Sequence, residues 1–434
     1  MSPEIEEILQ QTLDRIEENL KNPIVPEDLS RAAGFSHYHF CRVFKAAMGV
    51  SLMRYITGRR LIHGLYHMWL GREKTEAALM FGFDSYAGFY KAFRRMFGAS
   101  PTAHLRTHRA AAPARVNLKE RGEMMELELV KQALACWGLQ DASVEAVCYP
   151  NTGRLSENAF LVDNRFVLKC SRSPGSVQGQ AKLQRTLHAH GLAAAVLPIH
   201  TGADFARVGE WDCLLMERLE GKPVNAAQLL AQPEGGAALG EGLARLHAAL
   251  RECDPLLCSE EKIMDTLQYW AAPLLRQNAA VDQDWLEKWL SHAQEVFADL
   301  PVQIIHRDPN PDNVLMAQGR VTGFLDFELS RIAPRIFDLA YAATGILSVS
   351  FAQAGQDAGS RFAALAKAVW RGYHAHSPLS EKEQRALPDM VIAIQLICIA
   401  AFTGSDTYAV LAQTNKQMLE GILSAEEQLR QPFC

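Results

Sequence analysis

At 434 residues, with 48% hydrophobic and 21% charged side chains, the chain has room for two or three domains and an ordinary soluble globular composition. Its net charge of −5 is unevenly spread: residues 31–110 carry 13 Lys and Arg against three Asp and Glu, which points that stretch toward a polyanion partner. The nine cysteines form no CxxC pair and lack the His spacing of a zinc site, and the acidic start has no signal-peptide pattern, so reduced thiols in a cytoplasmic protein are expected.

Apolar residues at Ile5, Ile8, Leu9, Leu13, Ile16 and Leu20 repeat as one face of a helix. Pro26-Glu27-Asp28 opens a second helix, with proline and acids in its first turn. Gly34-Phe35 breaks it, and Ser36 can cap a third helix from His37 to Met48. There Phe40, Val43 and Phe44 face inward, and Tyr38, Cys41, Arg42 and Lys45 face outward. A helix, a short glycine turn and a helix with an exposed basic face make a helix-turn-helix, whose second helix fits the major groove.

The pattern occurs twice. Gly34-Phe35, Phe40, Phe44-Lys45 and Gly49 return as Gly82-Phe83, Phe89, Phe93-Arg94 and Gly98, with one extra residue in the second turn. Between them, Ser51 to Leu70 predicts a helix of about 30 Å, enough to set two recognition helices roughly one turn of DNA apart. The double motif resembles the AraC-type DNA-binding domain over residues 5–107. That resemblance makes Tyr38, Cys41 and Arg42, with Tyr86, Ala87 and Lys91, candidate contacts to base edges or backbone of double-stranded DNA. Arg42 suits direct readout of guanine. Lys45 belongs to the same basic face, while Arg94, Arg95 and Arg59 suit phosphate. The pair His63 and His67 lacks a third ligand and reads as exposed helix histidines.

Residues 110–123, beginning Ala-Ala-Ala-Pro, read as a linker after a DNA-binding domain of residues 1–109. A helix from Met124 to Trp137 follows, then a strand from Val144 to Tyr149 and a hairpin of Asn158 to Val162 and Arg165 to Cys170 around Asp163-Asn164. Lys169 ends the run Phe166-Val167-Leu168-Lys169, as does the strand lysine that contacts nucleotide phosphates in kinases. The following helix, Val177 to His190, offers Gln178 and Gln180 where a kinase has a glutamate to pair with that lysine. Gln180 can hydrogen-bond a lysine without neutralising it. Trp270, Trp285 and Trp289, within the helical pattern from Glu260 to Ala298, read equally as an acceptor-framing insertion or as packed core. Val391 to Phe402 is too short to span a bilayer, and no membrane partner is expected.

The most informative stretch is Ile304-Ile305-His306-Arg307-Asp308-Pro309-Asn310-Pro311-Asp312-Asn313, closed by Gly323-Phe324-Leu325-Asp326-Phe327-Glu328. Gln318-Gly319 predicts a tight turn that brings Asp326 back beside Asn313. Phosphoryl transfer needs an acceptor hydroxyl held in line and Mg²⁺ held against phosphates. Asp308 can orient and deprotonate the hydroxyl, and Asn313 and Asp326 can supply hard oxygen ligands to the metal. His306 to Asn313 and Asp326 to Glu328 resemble the catalytic loop and metal motif of the aminoglycoside phosphotransferase family, which includes choline-kinase-like and homoserine-kinase-like enzymes. Arg307 stands where that family usually has glycine, and the chain resembles protein kinases at this position. The resemblance spans roughly residues 125–400 and implies ATP or another nucleoside triphosphate with Mg as cofactors.

By the same resemblance His306 and Arg307 join the catalytic group, and Ser156 and Asn158 form a Ser-x-Asn phosphate turn. The strand Cys213 to Met216 and then Glu217 to Gly221 form the hinge whose backbone would hold adenine, and Asp338 braces the active-site loop. The expected architecture is multidomain: an all-α double helix-turn-helix domain, then a bilobal α+β protein-kinase-like domain with a nucleotide lobe of residues 124–220 and a helical lobe of residues 221–434. The expected function is transcriptional regulation with a domain that binds, and can phosphorylate, a small hydroxylated ligand. The alternative is a small-molecule kinase with an accessory DNA-binding domain. Whether the domain turns over, the ligand, the operator, the direction of control and the oligomeric state are left open.

Overall fold

The computed structural model describes residues 3–48, 50–97, 100–107, 113, 125–148, 155–173, 176–403 and 409–433. The expected linker, Pro113 apart, and the loop at 149–154 lie outside the described residues. Two compact units form, one of residues 1–177 with 196–218, the other of residues 178–195 with 219–434.

The first unit begins with seven helices: α1 Pro3–Glu18, α2 Pro26–Ala32, α3 His37–Met48, α4 Leu52–Trp69, α5 Lys74–Met80, α6 Tyr86–Phe97 and α7 Pro101–Thr107. Gly34 and Gly82 take φ of +76° and +74°, the left-handed geometry that a turn between α2 and α3, and again between α5 and α6, demands. Ser51 caps α4 by accepting from the Arg54 amide, and Glu73 caps α5 through the amides of Thr75 and Glu76. Phe40 and Phe44 in the first repeat, and Phe89 and Phe93 in the second, are wholly buried. Each such ring contributes about 1.5–3 kcal/mol of burial.

One expectation fails here. Arg59 is 5% exposed, and its guanidinium is paired with the buried carboxylate of Glu17 on α1, so it is unavailable to a DNA phosphate. A charge removed from water requires a partner, and α4 is enclosed where Arg59 stands. His63 is half-buried rather than exposed and lies 3.1 Å from the same Glu17 carboxylate.

A helix, α8 Leu127–Ala135, precedes a five-stranded antiparallel sheet in the order β1-β2-β3-β5-β4. Its strands are β1 Val144–Cys148, β2 Leu155–Val162, β3 Phe166–Ser171, β4 Ala206–Val208 and β5 Trp211–Glu217. Asp163 and Asn164 sit at φ +48° and +55° between β2 and β3, where a two-residue hairpin needs positive φ twice. Between β3 and β4 runs α9 Ser176–Ala189, which from Gln178 onward counts with the second unit.

The second unit continues with β6 Lys222–Pro223, α10 Ala226–Ala231, α11 Gly236–Leu250 and α12 Ile263–Asp265. A π-helical turn at Thr266–Ala271 leads into α13 Ala272–Gln277, and α14 Gln283–Phe297 follows. Four strands come next, β7 Val302–Ile305, β8 Val314–Ala317, β9 Arg320–Phe324 and β10 Arg331–Pro334. They pair as a β6-β8-β9 sheet and a β10-β7 ribbon. The remaining helices are α15 Ile336–Ala354, α16 Ala358–His376, α17 Glu381–Phe402, α18 Ala409–Ser424 and α19 Glu426–Arg430. Helices α11 and α16 meet backbone to backbone, since a Cβ on Gly240 would stand 2.0 Å from the Val369 carbonyl oxygen.

The apolar stretch ending at Phe402 belongs to a longer helix than expected. At 22 residues α17 has the length and hydropathy to cross a membrane, but 72% of its most apolar window is buried inside the protein. A Ser380–Glu383 capping box starts it.

Candidate active site and candidate DNA interface

The apolar strand β7 ends at Ile305 and delivers His306, Arg307 and Asp308 to a loop that Pro309 and Pro311 keep out of regular structure. Strands β8 and β9 turn at Gln318 and Gly319, both at positive φ, and return the chain so that the Leu325 amide donates to the Asn313 carbonyl at 2.8 Å. Asp326 is the next residue, at φ +61°.

His306 ties the two segments together. Its Nε2 lies 2.8 Å from the Leu325 carbonyl oxygen, which can only accept, so Nε2 carries the proton and Nδ1 accepts from the Asp308 amide at 3.3 Å. The imidazole is fully buried and packs on Phe327. His306 therefore sets the distance between the two carboxylate-bearing segments.

Asp338, at the start of α15, holds the loop from the other side. Its carboxylate accepts the backbone amides of His306 and Arg307 at 2.8 and 2.9 Å, and also the His247 Nε2–H at 3.0 Å. The His247 Nδ1 is then left to accept from the Tyr373 hydroxyl at 2.9 Å. Gly345 lets α15 approach closely, since a Cβ there would come within 3.0 Å of Pro311.

The Asp308 carboxylate is oriented by two donors. Asn310 Nδ2 reaches Oδ1 at 2.9 Å and Asn313 Nδ2 reaches Oδ2 at 3.0 Å, with the Tyr341 hydroxyl close by. Burial pushes the Asp308 carboxyl above its ordinary value, and the neighbouring Asp326 charge adds to that, against the lowering effect of Asn310, His306 and Tyr341. A carboxylate with raised basicity, aimed by amides, is suited to take a proton from a hydroxyl. The Asn313 amide nitrogen is turned toward Asp308, so its oxygen is the atom that can face a cation beside Asp326. One amide and one carboxylate oxygen fit Mg²⁺, which keeps most of its water and takes few protein ligands.

Arg307 is placed differently from its neighbours. Its guanidinium pairs with Glu261 at 2.6 and 2.7 Å and lies over the Phe337 ring at 4.1 Å. Asn310, Tyr341 and Glu261 were absent from the expected set. Asn310 could have been found as a second amide in the same loop, whereas Glu261 lies 46 positions upstream with no motif around it.

In the first unit Lys169 on β3 is 7% exposed, paired in register with Ala159 of β2 and Leu214 of β5. The Ser156 hydroxyl is buried and engaged in its own turn, bonded to Asn158 Oδ1 at 3.2 Å and accepting from the Ala159 amide at 3.0 Å. Glu217 ends β5 with its side chain exposed. Gln180, on α9 in the second unit, is 3% exposed.

For DNA, α3 presents Tyr38 at 79% exposure with Arg42 and Lys45 also exposed and Cys41 half-buried. In α6, Ala87, Lys91, Arg94 and Arg95 are exposed and Tyr86 is half-buried. Both helices thus turn their phenylalanines inward and their cations to solvent.

A model described as the phosphotransferase enzyme family matches residues 149–379, more than half of the chain. The chain belongs to this family. The phosphotransferase domain follows an AraC-type helix-turn-helix domain, whose family model matches residues 29–107. The Transposon Tn10 TetD protein of Escherichia coli is 32% identical over 100 residues, 23% of this chain and 72% of that protein. A homoserine kinase of Brucella ovis is 31% identical over 165 residues, 35% of this chain and 45% of the kinase. The chain spans between 34% and 73% of the length of four curated proteins similar to its N-terminal domain. A structure of a microcompartment-associated aminopropanol kinase superposes with a TM-score of 0.51 at 16% identity, covering 71% of this chain and 100% of that one, which establishes the protein-kinase-like fold.

Proposed function

We propose that this protein is a cytoplasmic, DNA-binding transcriptional regulator whose phosphotransferase domain binds a small hydroxylated ligand and phosphorylates it with ATP and Mg²⁺. The observation that carries the reading is the Asp308 carboxylate, held by Asn310 and Asn313 beside Asp326. A domain kept only for sensing would have no need of an oriented base.

In the proposed reaction Asp308 positions the acceptor hydroxyl and takes its proton. Asn313 and Asp326 hold Mg²⁺, which supplies charge neutralisation of the phosphates when bound. Lys169 contributes a cation for the phosphates, and the backbone from Glu217 to Gly221, at the end of β5, receives the base of the nucleotide. His306 and Asp338 keep the loop rigid, so that Asp308 needs no reorganisation when the hydroxyl arrives. The proposed DNA surface is α3 and α6, with Arg42 reading a base edge and Lys45, Lys91, Arg94 and Arg95 on phosphate.

A panel of amino alcohols, homoserine-like hydroxy acids and aminoglycosides is incubated with ATP and Mg²⁺, and product is followed for wild type and Asp308→Ala. Turnover that Asp308→Ala abolishes, with affinity for a defined duplex unchanged, supports the reading. Turnover unaffected by that substitution would sink the assignment of Asp308. Binding to duplexes without sequence preference would leave a small-molecule kinase with an accessory DNA-binding domain.

A further inference from the structure

Arg307 directly precedes the proposed base, yet its backbone is left-handed at φ +75°. That conformation disfavours a residue with a β-carbon and suits glycine. The side chain is held on two sides. Glu261 takes Nε at 2.6 Å and Nη2 at 2.7 Å, and the Phe337 ring lies 4.1 Å beneath the guanidinium. Glu261 is fixed in turn, its carboxylate accepting the Thr266 hydroxyl at 3.3 Å and its amide donating to the Ile332 carbonyl at 2.9 Å on β10. Strand β10 pairs with β7, which leads straight into the loop. Both members of the pair are mostly buried, with side chains 18% and 17% exposed.

We infer that Glu261 is a positioning residue for phosphoryl transfer: its carboxylate clamps Arg307, and the clamp holds the left-handed turn that aims Asp308. The inference rests on the proposed phosphotransfer. Glu261 does the work that a glycine at 307 would make unnecessary. The bidentate pair, the ring contact and the Asp338 bond to the Arg307 amide fix side chain and backbone together.

The test uses the full chain with ATP and Mg²⁺ and water as the acceptor. Glu261→Gln keeps the shape and removes the charge. It should lower kcat on the order of 10-fold to 100-fold, the cost of a base misplaced by about 1 Å, with KM for ATP within about twofold. Adding Arg307→Gly to Glu261→Gln should restore most of kcat, because glycine holds that φ unaided. Equal kcat in wild type and Glu261→Gln, or equal loss in the single and double variants, overturns the inference. Amide hydrogen exchange at His306 and Arg307 gives a readout apart from activity. It should quicken in Glu261→Gln and return in the double variant, and unchanged exchange overturns the clamp. If wild type transfers phosphoryl through Asp308 neither to water nor to any acceptor of the panel, the phosphotransfer reading fails and takes the catalytic role of Glu261 with it, while exchange still decides the clamp. Should Glu261→Gln fail to fold, Glu261→Asp replaces it, with the same two outcomes.

Discussion

Replacing Asp338 with asparagine tests whether the active-site loop is held by charge or only by shape. The side chain is fully buried, and its two oxygens accept three donors, the amides of His306 and Arg307 and the His247 Nε2–H. Asparagine keeps the outline but has one acceptor oxygen, so at least one backbone amide must face an NH₂ group. Hydrogen bonds to a charged group are worth about 1.5–3 kcal/mol each, and a buried donor left unpaired costs about 1–3 kcal/mol. Losing one such bond and orphaning its amide therefore predict a destabilisation of about 1.5–3 kcal/mol, a sizeable part of the ~5–15 kcal/mol that stabilises a domain. Urea unfolding followed by tryptophan fluorescence measures it, since Trp270, Trp285, Trp289 and Trp370 all lie in this unit. Turnover should fall with it, because the same amides carry Asp308. A loss under about 1 kcal/mol with turnover intact would refute the brace.

Turnover should rise with pH through an inflection above the ordinary Asp value, because burial raises Asp308 and only its ionised form accepts a proton. The sign for stability is opposite: a carboxyl raised on folding stabilises below its unfolded value and loses that contribution as pH rises through the folded one. A pH–rate profile with its lower limb at or below that of free aspartate would contradict the buried base. Burial pushes Glu17 up, but the bonds from His63 and Arg59 outweigh it and hold the carboxyl low, so its contribution is present above the unfolded value and is lost as pH falls through the folded one. Glu17→Gln should destabilise the DNA-binding domain by about 1–3 kcal/mol by removing the charge that Arg59 and His63 bond, as read by thermal unfolding at neutral pH; a shift too small to resolve would contradict the buried pair. Lys45→Ala should weaken binding to all duplexes alike and reduce the salt slope by about one, whereas Arg42→Ala should relax preference at one position, by about 1–3 kcal/mol. Identical behaviour of the two variants would place Arg42 on phosphate.

What the residues announced in advance was whatever repeats or whatever a turn dictates. Phenylalanines spaced four apart after a glycine placed α3 and α6, and Asp163-Asn164 and Gln318-Gly319 placed two hairpins, because positive φ is a local demand that few residues meet. The pairing of Asp308, Asn313 and Asp326 was readable for the same reason, since a short hairpin joins them. Arg59 departs from the sequence expectation because a cation on a basic helix looks the same whether it faces phosphate or a partner. Its partner, Glu17, lies 42 positions away on α1.

Glu261 was invisible on equal grounds, yet an indirect sign of it was present at Arg307. A residue with a β-carbon at left-handed φ costs about 1–2 kcal/mol, and at Arg307 the side chain is held against that cost by Glu261 and Phe337. Arginine also carries a charge that burial penalises, so the contact had to be an acid with a fixed backbone. Beside β7 lie its ribbon partner β10 and the segment that runs against it. Glu261 is on that segment, with its amide bonded to Ile332 of β10. The departure at 307 and the acid at 261 are therefore one feature: removing the acid should be harmful while the arginine remains, and far less so once glycine stands in its place.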